Sequence, residues 1–255
     1  ERARAEQNPG LNRALLLLAI GLRSEGVREW NYSVRELSDR DLLAAAQRAC
    51  EREVWDRCIQ ASERTRSEID LATRFPTPFR TEVLNAAREM NLDPAYVYGL
   101  IRQESRFVSD IRSSVGASGL MQLMPATAKW TARKLGLSYS PEQITERGTN
   151  LRLGTGYLKL VLDDLDGSLP MAAAAYNAGP NRLRRWRDGP TLDVAVWTEN
   201  IPFNETRDYV KKVLSNTSYY SAILAGQNQA TLRNRLGNTI GPRPPEAVPE
   251  NRDLP

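Results

Sequence analysis

Residues 94–125 read PAYVYGLIRQESRFVSDIRSSVGASGLMQLMP, and they decide how the chain is understood. Asp93 followed by Pro94 is a helix start: a carboxylate to cap the first turn, and a proline where its missing N–H costs nothing. From there the apolar stripe runs Val97, Leu100, Ile101, and the next position on it, seven residues after Val97, is Glu104. A glutamate therefore falls where the helix buries its apolar face. Taking a carboxylate out of water costs free energy unless it is paired or protonated. Desolvation raises its pKa, which is the state a general acid needs near neutral pH. An ordinary alternative is a surface Glu at a helix end, paired with Arg102 or Arg106. The residues downstream favour the buried acid: small side chains and two glycines, Gly116 and Gly119, then the apolar run Leu120–Leu123 enclosing Gln122. Glycines let backbone turn tightly beside a ligand.

Outward from this segment the periodicity is helical nearly everywhere, and alternating β patterns are almost absent. The fold class is mainly α: helical hairpins of a superhelical type, followed by an α-rich domain. Helices are expected over 12–21, 39–50 (capped by Ser38 or Asp39) and 54–66. Phe75-Pro76-Thr77-Pro78-Phe79 breaks the pattern, with Thr77 as cap and Pro78 as first residue of the next helix. The organisation expected is 1–76 helical, 77–240 a second domain and 241–255 a proline-rich tail, mobile or packed as a strap. In the second domain helices are expected over 78–90, from Pro94, from Pro125 to a stop at Gly136, over 150–165, 170–177 and 204–224. Ala174-Ala175-Tyr176-Asn177-Ala178-Gly179-Pro180 puts Tyr176 and Asn177 at a helix end, where side chains can reach a cleft.

The chain has 255 residues, no histidine, two cysteines and a formal net charge of +4. Without histidine, the usual Ser-His-Asp and Cys-His sites and histidine-ligated zinc are excluded. Acid–base chemistry must rest on Asp, Glu, Lys or Tyr, and glycoside cleavage is the large enzyme class that works this way. The mild basic excess suits an acidic polymer, but zinc-finger spacing and RNA-binding aromatic signatures are missing, so nucleic acid is not the expected partner. Cys50 and Cys58 face each other across a tight hairpin if one helix ends near Glu51 and the next begins near Val54; a disulfide and two buried thiols both remain open. No apolar run approaches the length of a membrane span. The start at Glu1 lacks a signal-peptide cleavage site and reads as a mature or trimmed chain.

Four segments in order resemble the soluble lytic transglycosylases with their goose-type lysozyme-like catalytic domain. They are Gln103-Glu104-Ser105, the loop 116–125, Ala175-Tyr176-Asn177-Ala178-Gly179, and the run 199–210 (ENIPFNETRDYV). The resemblance covers roughly residues 78–225 and makes the preceding region the end of the family's superhelix, shorter here than in large members, so that the chain reads as a fragment. It implies that Glu104 is the single catalytic acid and that Ser113, Gln122, Met124, Ala175, Tyr176, Asn177 and Glu205 line the sugar-binding cleft. Tyr176 is expected to donate a hydrogen bond either to Glu104 or to the sugar's acetamido group. No metal or cofactor is implied. The implied partner is the peptidoglycan glycan strand, cut without water to a 1,6-anhydro product, in the periplasm, with outer-membrane association open. The helical region is a surface for cell-wall machinery proteins, and a monomer is expected. The competing readings are a hydrolytic muramidase on the same fold, with Glu205 the best second carboxylate, and a non-catalytic wall-binding or scaffold protein.

Overall fold

A computed structural model describes residues 1–225, 232–247 and 249–255. The chain is mainly helical and falls into two compact units, 1–78 with 106–108, and 79–105 with 109–255. Among the described residues no helix is long and apolar enough to cross a membrane.

The first unit is a set of helical hairpins: α1 (Arg2–Gln7), α2 (Pro9–Ala19), α3 (Arg23–Ser33), α4 (Asp39–Glu51), α5 (Trp55–Glu63) and α6 (Leu71–Arg74). Asn8 starts α2, its Oδ1 accepting the N–H groups of Gly10 and Leu11, and Ser38 caps α4 by accepting from Asp41. Leu11, Ala14, Trp30, Val34, Ala45, Ala46, Ala49 and Cys58 form its core. The α4–α5 turn is as tight as the cysteine spacing requires: Glu53 takes a left-handed conformation, and Cys50 and Cys58 are joined in a disulfide with Cα atoms 5.2 Å apart. α1 and α3 do not stand out in the sequence. α3 carries Arg23, Glu25, Arg28 and Glu29 and buries only Gly26 and Trp30, too few apolar positions for a stripe. α5 ends at Glu63, earlier than the pattern suggests, and the loop after it is clasped by Asp39. That carboxylate accepts the backbone N–H groups of Arg66, Ser67 and Glu68, which hold it well below the usual carboxylate range.

The second unit contains α7 (Arg80–Glu89), α8 (Pro94–Glu104), α9 (Pro125–Lys134), a 3-10 turn (Pro141–Thr145), α10 (Arg147–Asp164), α11 (Leu169–Ala178), α12 (Pro180–Arg187), α13 (Val194–Glu199), α14 (Asn204–Ala225) and α15 (Leu232–Leu236). α8 is its central rod, with every residue from Ala95 to Arg102 buried. It lies along α14, and α11 packs on α14 beside it. The close crossing depends on Gly99, where a Cβ would come within 2.9 Å of the Val213 carbonyl and the Thr217 N–H. A short antiparallel pair, β1 (Leu192–Asp193) and β2 (Thr239–Ile240), sets Leu192 opposite Ile240.

In the second unit the structure corrects the reading of the domain boundary, adds two helices and decides the state of the tail. Thr77 does not cap a helix and Pro78 is not its first residue: α7 begins at Arg80 after Phe79, which is left-handed (φ 54°). The Arg147 guanidinium, 4.3 Å from the centre of the Phe79 ring, packs against that turn. α12 and α13 are helices the pattern passes over; α12 (PNRLRRWR) offers only Leu183 and Trp186 as apolar contacts. The tail is a strap where it is described: Leu254 is buried, and Asn251 and Glu250 are tied to α10 and α12.

Candidate active site

Glu104 is the last residue of α8, and its position comes from how that helix is started and stopped. The Asp93 side chain accepts from the Ala95 N–H at 2.8 Å and Pro94 occupies the first position. At the other end Arg106 and Phe107 both take positive φ (48° and 67°), so the chain turns sharply away after Ser105 and leaves Glu104 on the inward stripe. The two arginines that could have made it a surface ion pair are used elsewhere. Arg102 donates to Asn216 Oδ1 at 3.2 Å, and Arg106 pairs with Glu63 at 2.9 Å.

The partner Glu104 does have is Tyr209 of α14, whose Oη donates to Oε1 at 2.5 Å. Glu104 is half-buried as a residue, and desolvation dominates the electrostatics of its carboxyl. Desolvation pushes its pKa from 4.5 up to about 7; the Tyr209 hydrogen bond opposes the rise and the negative charge of Glu205 adds to it. Burial and the nearby carboxylate hold the Tyr209 and Tyr176 phenols well above 10, so both remain donors at physiological pH.

The loop 111–124 is a knot of backbone bonds. Ser118 and Leu123 exchange both N–H···O bonds at 3.0 Å, and Gly119 donates to Ile111 at 2.9 Å. Gly119 (φ 81°) faces Asn150, and a Cβ there would meet its Nδ2 at 2.2 Å. Asn150, fully buried, accepts the Met121 N–H at 2.8 Å and donates to the carbonyls of Ser118 (2.9 Å) and Ile144 (2.7 Å). It pins the loop to the start of α10.

The implied site residues divide by what they touch. Ser113 Oγ accepts from the Ala117 N–H, so it builds the loop. Gln122 is half-buried with φ 46°, and its Nε2 donates to the carbonyls of Ile111 and Gly119. Met124 is 41% exposed at the start of α9. Ala175 is fully buried, so its side chain faces the core rather than a cleft. Tyr176 does not bond Glu104, one of the two partners expected for it; its Oη donates to the Met121 carbonyl at 2.8 Å, because α11 sets the phenol over the loop. Asn177 accepts from Thr206 Oγ1 at 2.6 Å, joining α11 to α14. Glu205 is exposed and lines a groove of about 500 Å³ with Asn177, Ala178, Arg182, Phe203 and Thr206. Glu104, Tyr176, Tyr209 and Glu205 are thus electrostatic neighbours. Tyr209 lies within the 199–210 motif yet carries no assigned role there, since a tyrosine between Thr206 and Val210 on a helical stripe reads as core.

Known proteins match the chain along most of its length. The Transglycosylase SLT domain matches residues 82–191, the soluble lytic transglycosylase helical domain residues 200–229, and the soluble lytic murein transglycosylase L domain residues 4–67. The soluble lytic murein transglycosylase of Salmonella typhimurium is 34% identical over 230 residues, which is 89% of this chain and 36% of that protein. An inactive Glu-to-Gln mutant of the lytic transglycosylase Slt from Pseudomonas aeruginosa superposes with a TM-score of 0.82 at 37% identity, over 89% of this chain and 37% of that one. The 70-kDa soluble lytic transglycosylase in complex with bulgecin A gives 0.77 at 30% identity, over 91% and 37%. The class these define is a helical transglycosylase domain preceded by L-domain hairpins. The chain belongs to the soluble lytic transglycosylase family, and it spans about 36% of the length of its Salmonella relative.

Proposed function

We propose that this chain cleaves the β-1,4 bond between N-acetylmuramic acid and N-acetylglucosamine in peptidoglycan as a lytic transglycosylase, with Glu104 as both acid and base. The observation that carries the reading is a single withdrawn carboxyl whose pKa lies near 7 and which receives a hydrogen bond from a phenol that stays protonated. Protonated Glu104 gives its proton to the glycosidic oxygen as the C1–O bond breaks. The 2-acetamido group of the same sugar stabilises the positive charge growing at C1. Glu104, now a carboxylate, takes the proton of the sugar's C6 hydroxyl as that oxygen bonds to C1. The product is a 1,6-anhydro sugar, and no water is consumed. Tyr209 steadies the ionised form between the two transfers.

Family membership supports the activity, and so does the fact that the Pseudomonas relative's mutant, inactive by name, is a Glu-to-Gln change. The periplasm is the location proposed with this substrate; action from chain ends is the mode proposed, and the hairpins of the first unit are the surface proposed for cell-wall machinery. A hydrolytic muramidase is the second reading, favoured by one observation: the charge of Glu205 is felt at Glu104, so another carboxylate is close by. The experiment is mass spectrometry of products released from purified peptidoglycan. Non-reducing 1,6-anhydro ends support the first reading; reducing ends, one water heavier, support the second. Glu104→Gln should release neither.

A further inference from the structure

Residues 249–255 are fixed by contacts that the chemistry above does not use. Asn251 donates its backbone N–H to Oδ1 of Asp164 (2.6 Å), and its carbonyl accepts from the Arg184 guanidinium (2.7 Å). Arg184 pairs with Glu250 at 3.2 Å and with Asp164 at 3.5 Å, and both pairs are largely shielded from water. Three residues on, Leu254 is only 3% exposed. The segment ends against Tyr157 of α10, whose Oη makes a long 3.4 Å hydrogen bond to the Pro255 carbonyl. Tyr157 is itself 5% exposed, and its ring lies 5.4 Å from that of Tyr176, tilted by 53°. Tyr176 then reaches the Met121 carbonyl at the tip of the loop, and its phenol is a near electrostatic neighbour of Glu104.

A buried ion pair such as Asp164–Arg184 is weak evidence for stability, because desolvation offsets its attraction. It is good evidence for register, and here the register it fixes is that of the strap. A tilted aromatic pair transmits position well, since neither ring can move without the other losing contact. We infer that residues 249–255 are a strap that holds Tyr176 over the reacting cleft through Tyr157, which makes Tyr157 and Leu254 positioning residues for glycan cleavage. The inference rests on the reading of Glu104 and Tyr176 as parts of one active site. Loosening the strap frees the Tyr157 hydroxyl from the Pro255 carbonyl, lets Tyr176 tilt away from the Met121 carbonyl and admits water behind the carboxyl. The outer contacts to the glycan are untouched, so the turnover step is affected and binding is not.

The test is steady-state release of products from soluble, uncross-linked glycan strands by the full chain, over pH 5–9, for Leu254→Ala, Tyr157→Ala, the double variant and the conservative Tyr157→Phe. Leu254→Ala is expected to lower kcat about tenfold with KM within about twofold, the scale of a modest misplacement of a catalytic group. Its alkaline limb should move to lower pH, because water reaching Glu104 removes part of the desolvation that raises its pKa. Tyr157→Phe, which keeps the ring against Tyr176 but loses the bond to Pro255, should slow turnover less than Tyr157→Ala and no less than Leu254→Ala. The double variant should be no slower than Tyr157→Ala alone, since both changes act through one residue. A lowered melting temperature with kcat and the pH limb unchanged overturns the inference, as do multiplicative effects in the double variant. If Leu254→Ala does not fold, Leu254→Val takes its place with the same readouts. A wild-type chain that releases nothing, or a fully active Glu104→Gln, overturns the active-site reading itself and is distinct from either result.

Discussion

Replacing Glu104 by glutamine should stabilise the protein, and the gain should depend on pH. In the folded chain the Glu104 pKa is about 7 against 4.5 for the free side chain. At 1.36 kcal/mol per pH unit that difference corresponds to about 3 kcal/mol. The group is raised on folding, so the stabilisation it gives in its protonated form is fully present below pH 4.5 and is lost as pH rises to 7. Between those values the unfolded chain ionises freely while the folded one must either keep the proton or bury a charge. Glutamine has nearly the shape of the protonated acid, its amide oxygen can accept from Tyr209, and it never ionises. Urea titrations of both proteins at pH 4, 6 and 8 measure the difference directly. The variant should match the wild type at pH 4 and exceed it by about 3 kcal/mol at pH 8. A difference that is the same at all three values would refute the reasoning, because it would mean that the carboxyl is not desolvated in the folded state. The destabilisation is the cost of holding an acid in its protonated form near neutrality, and it is the expected trade between stability and activity.

Particular contacts set four more outcomes. Tyr209→Phe removes the bond that favours the ionised form of Glu104, so the alkaline limb of the pH–rate profile should move above its wild-type position while turnover falls; a limb that stays in place contradicts the role given to the phenol. Asn150→Ala strips three hydrogen bonds from buried backbone groups and should cost about 3 kcal/mol, with the loop 116–125 losing hydrogen-exchange protection first. Cys58→Ala opens a cross-link between residues eight apart and should destabilise the first unit by about 2–3 kcal/mol, read from its unfolding midpoint, with little change in turnover on soluble glycan. Gly99→Ala forces α8 away from α14 and should lower the melting temperature by several degrees, more than Gly148→Ala, where a Cβ meets nothing within 4 Å and the backbone is not left-handed.

The helices with a clear stripe and cap could be read from sequence to within a few residues. α4 and α8 are examples, because Ser38 and Asp93 cap where side-chain chemistry says they should. α3 and α12 could not, since charge outnumbers apolar contact in both and tertiary packing supplies what the local pattern lacks. Glu104 was legible because it breaks a stripe. Tyr209 was not, because it completes one: Thr206, Tyr209, Val210 and Val213 recur at three- and four-residue spacing, and the phenol oxygen shows only in three dimensions that it answers to a carboxyl. A buried tyrosine needs a hydrogen-bond partner, and the buried Glu104 needs one too; pairing those two demands is the signal by which the contact could have been found. Tyr176 was placed at the right end of its helix, but which acceptor its hydroxyl would meet depended on the loop conformation set by Gly119 and Asn150. Composition left the tail open between a mobile segment and a strap, since a proline-rich stretch gives no sign that Leu254 is buried.

The central claim is that Glu104 both gives and takes the proton, with the sugar's own C6 hydroxyl as nucleophile. Cleavage of purified peptidoglycan in water enriched in oxygen-18, with mass spectrometry of the released muropeptides, tests this most directly. Glu104 acting twice gives 1,6-anhydro products carrying no label, and Glu104→Gln gives no products. Reducing products carrying one labelled oxygen would contradict it and assign the second role to a water-activating carboxylate, with Glu205 the first to replace.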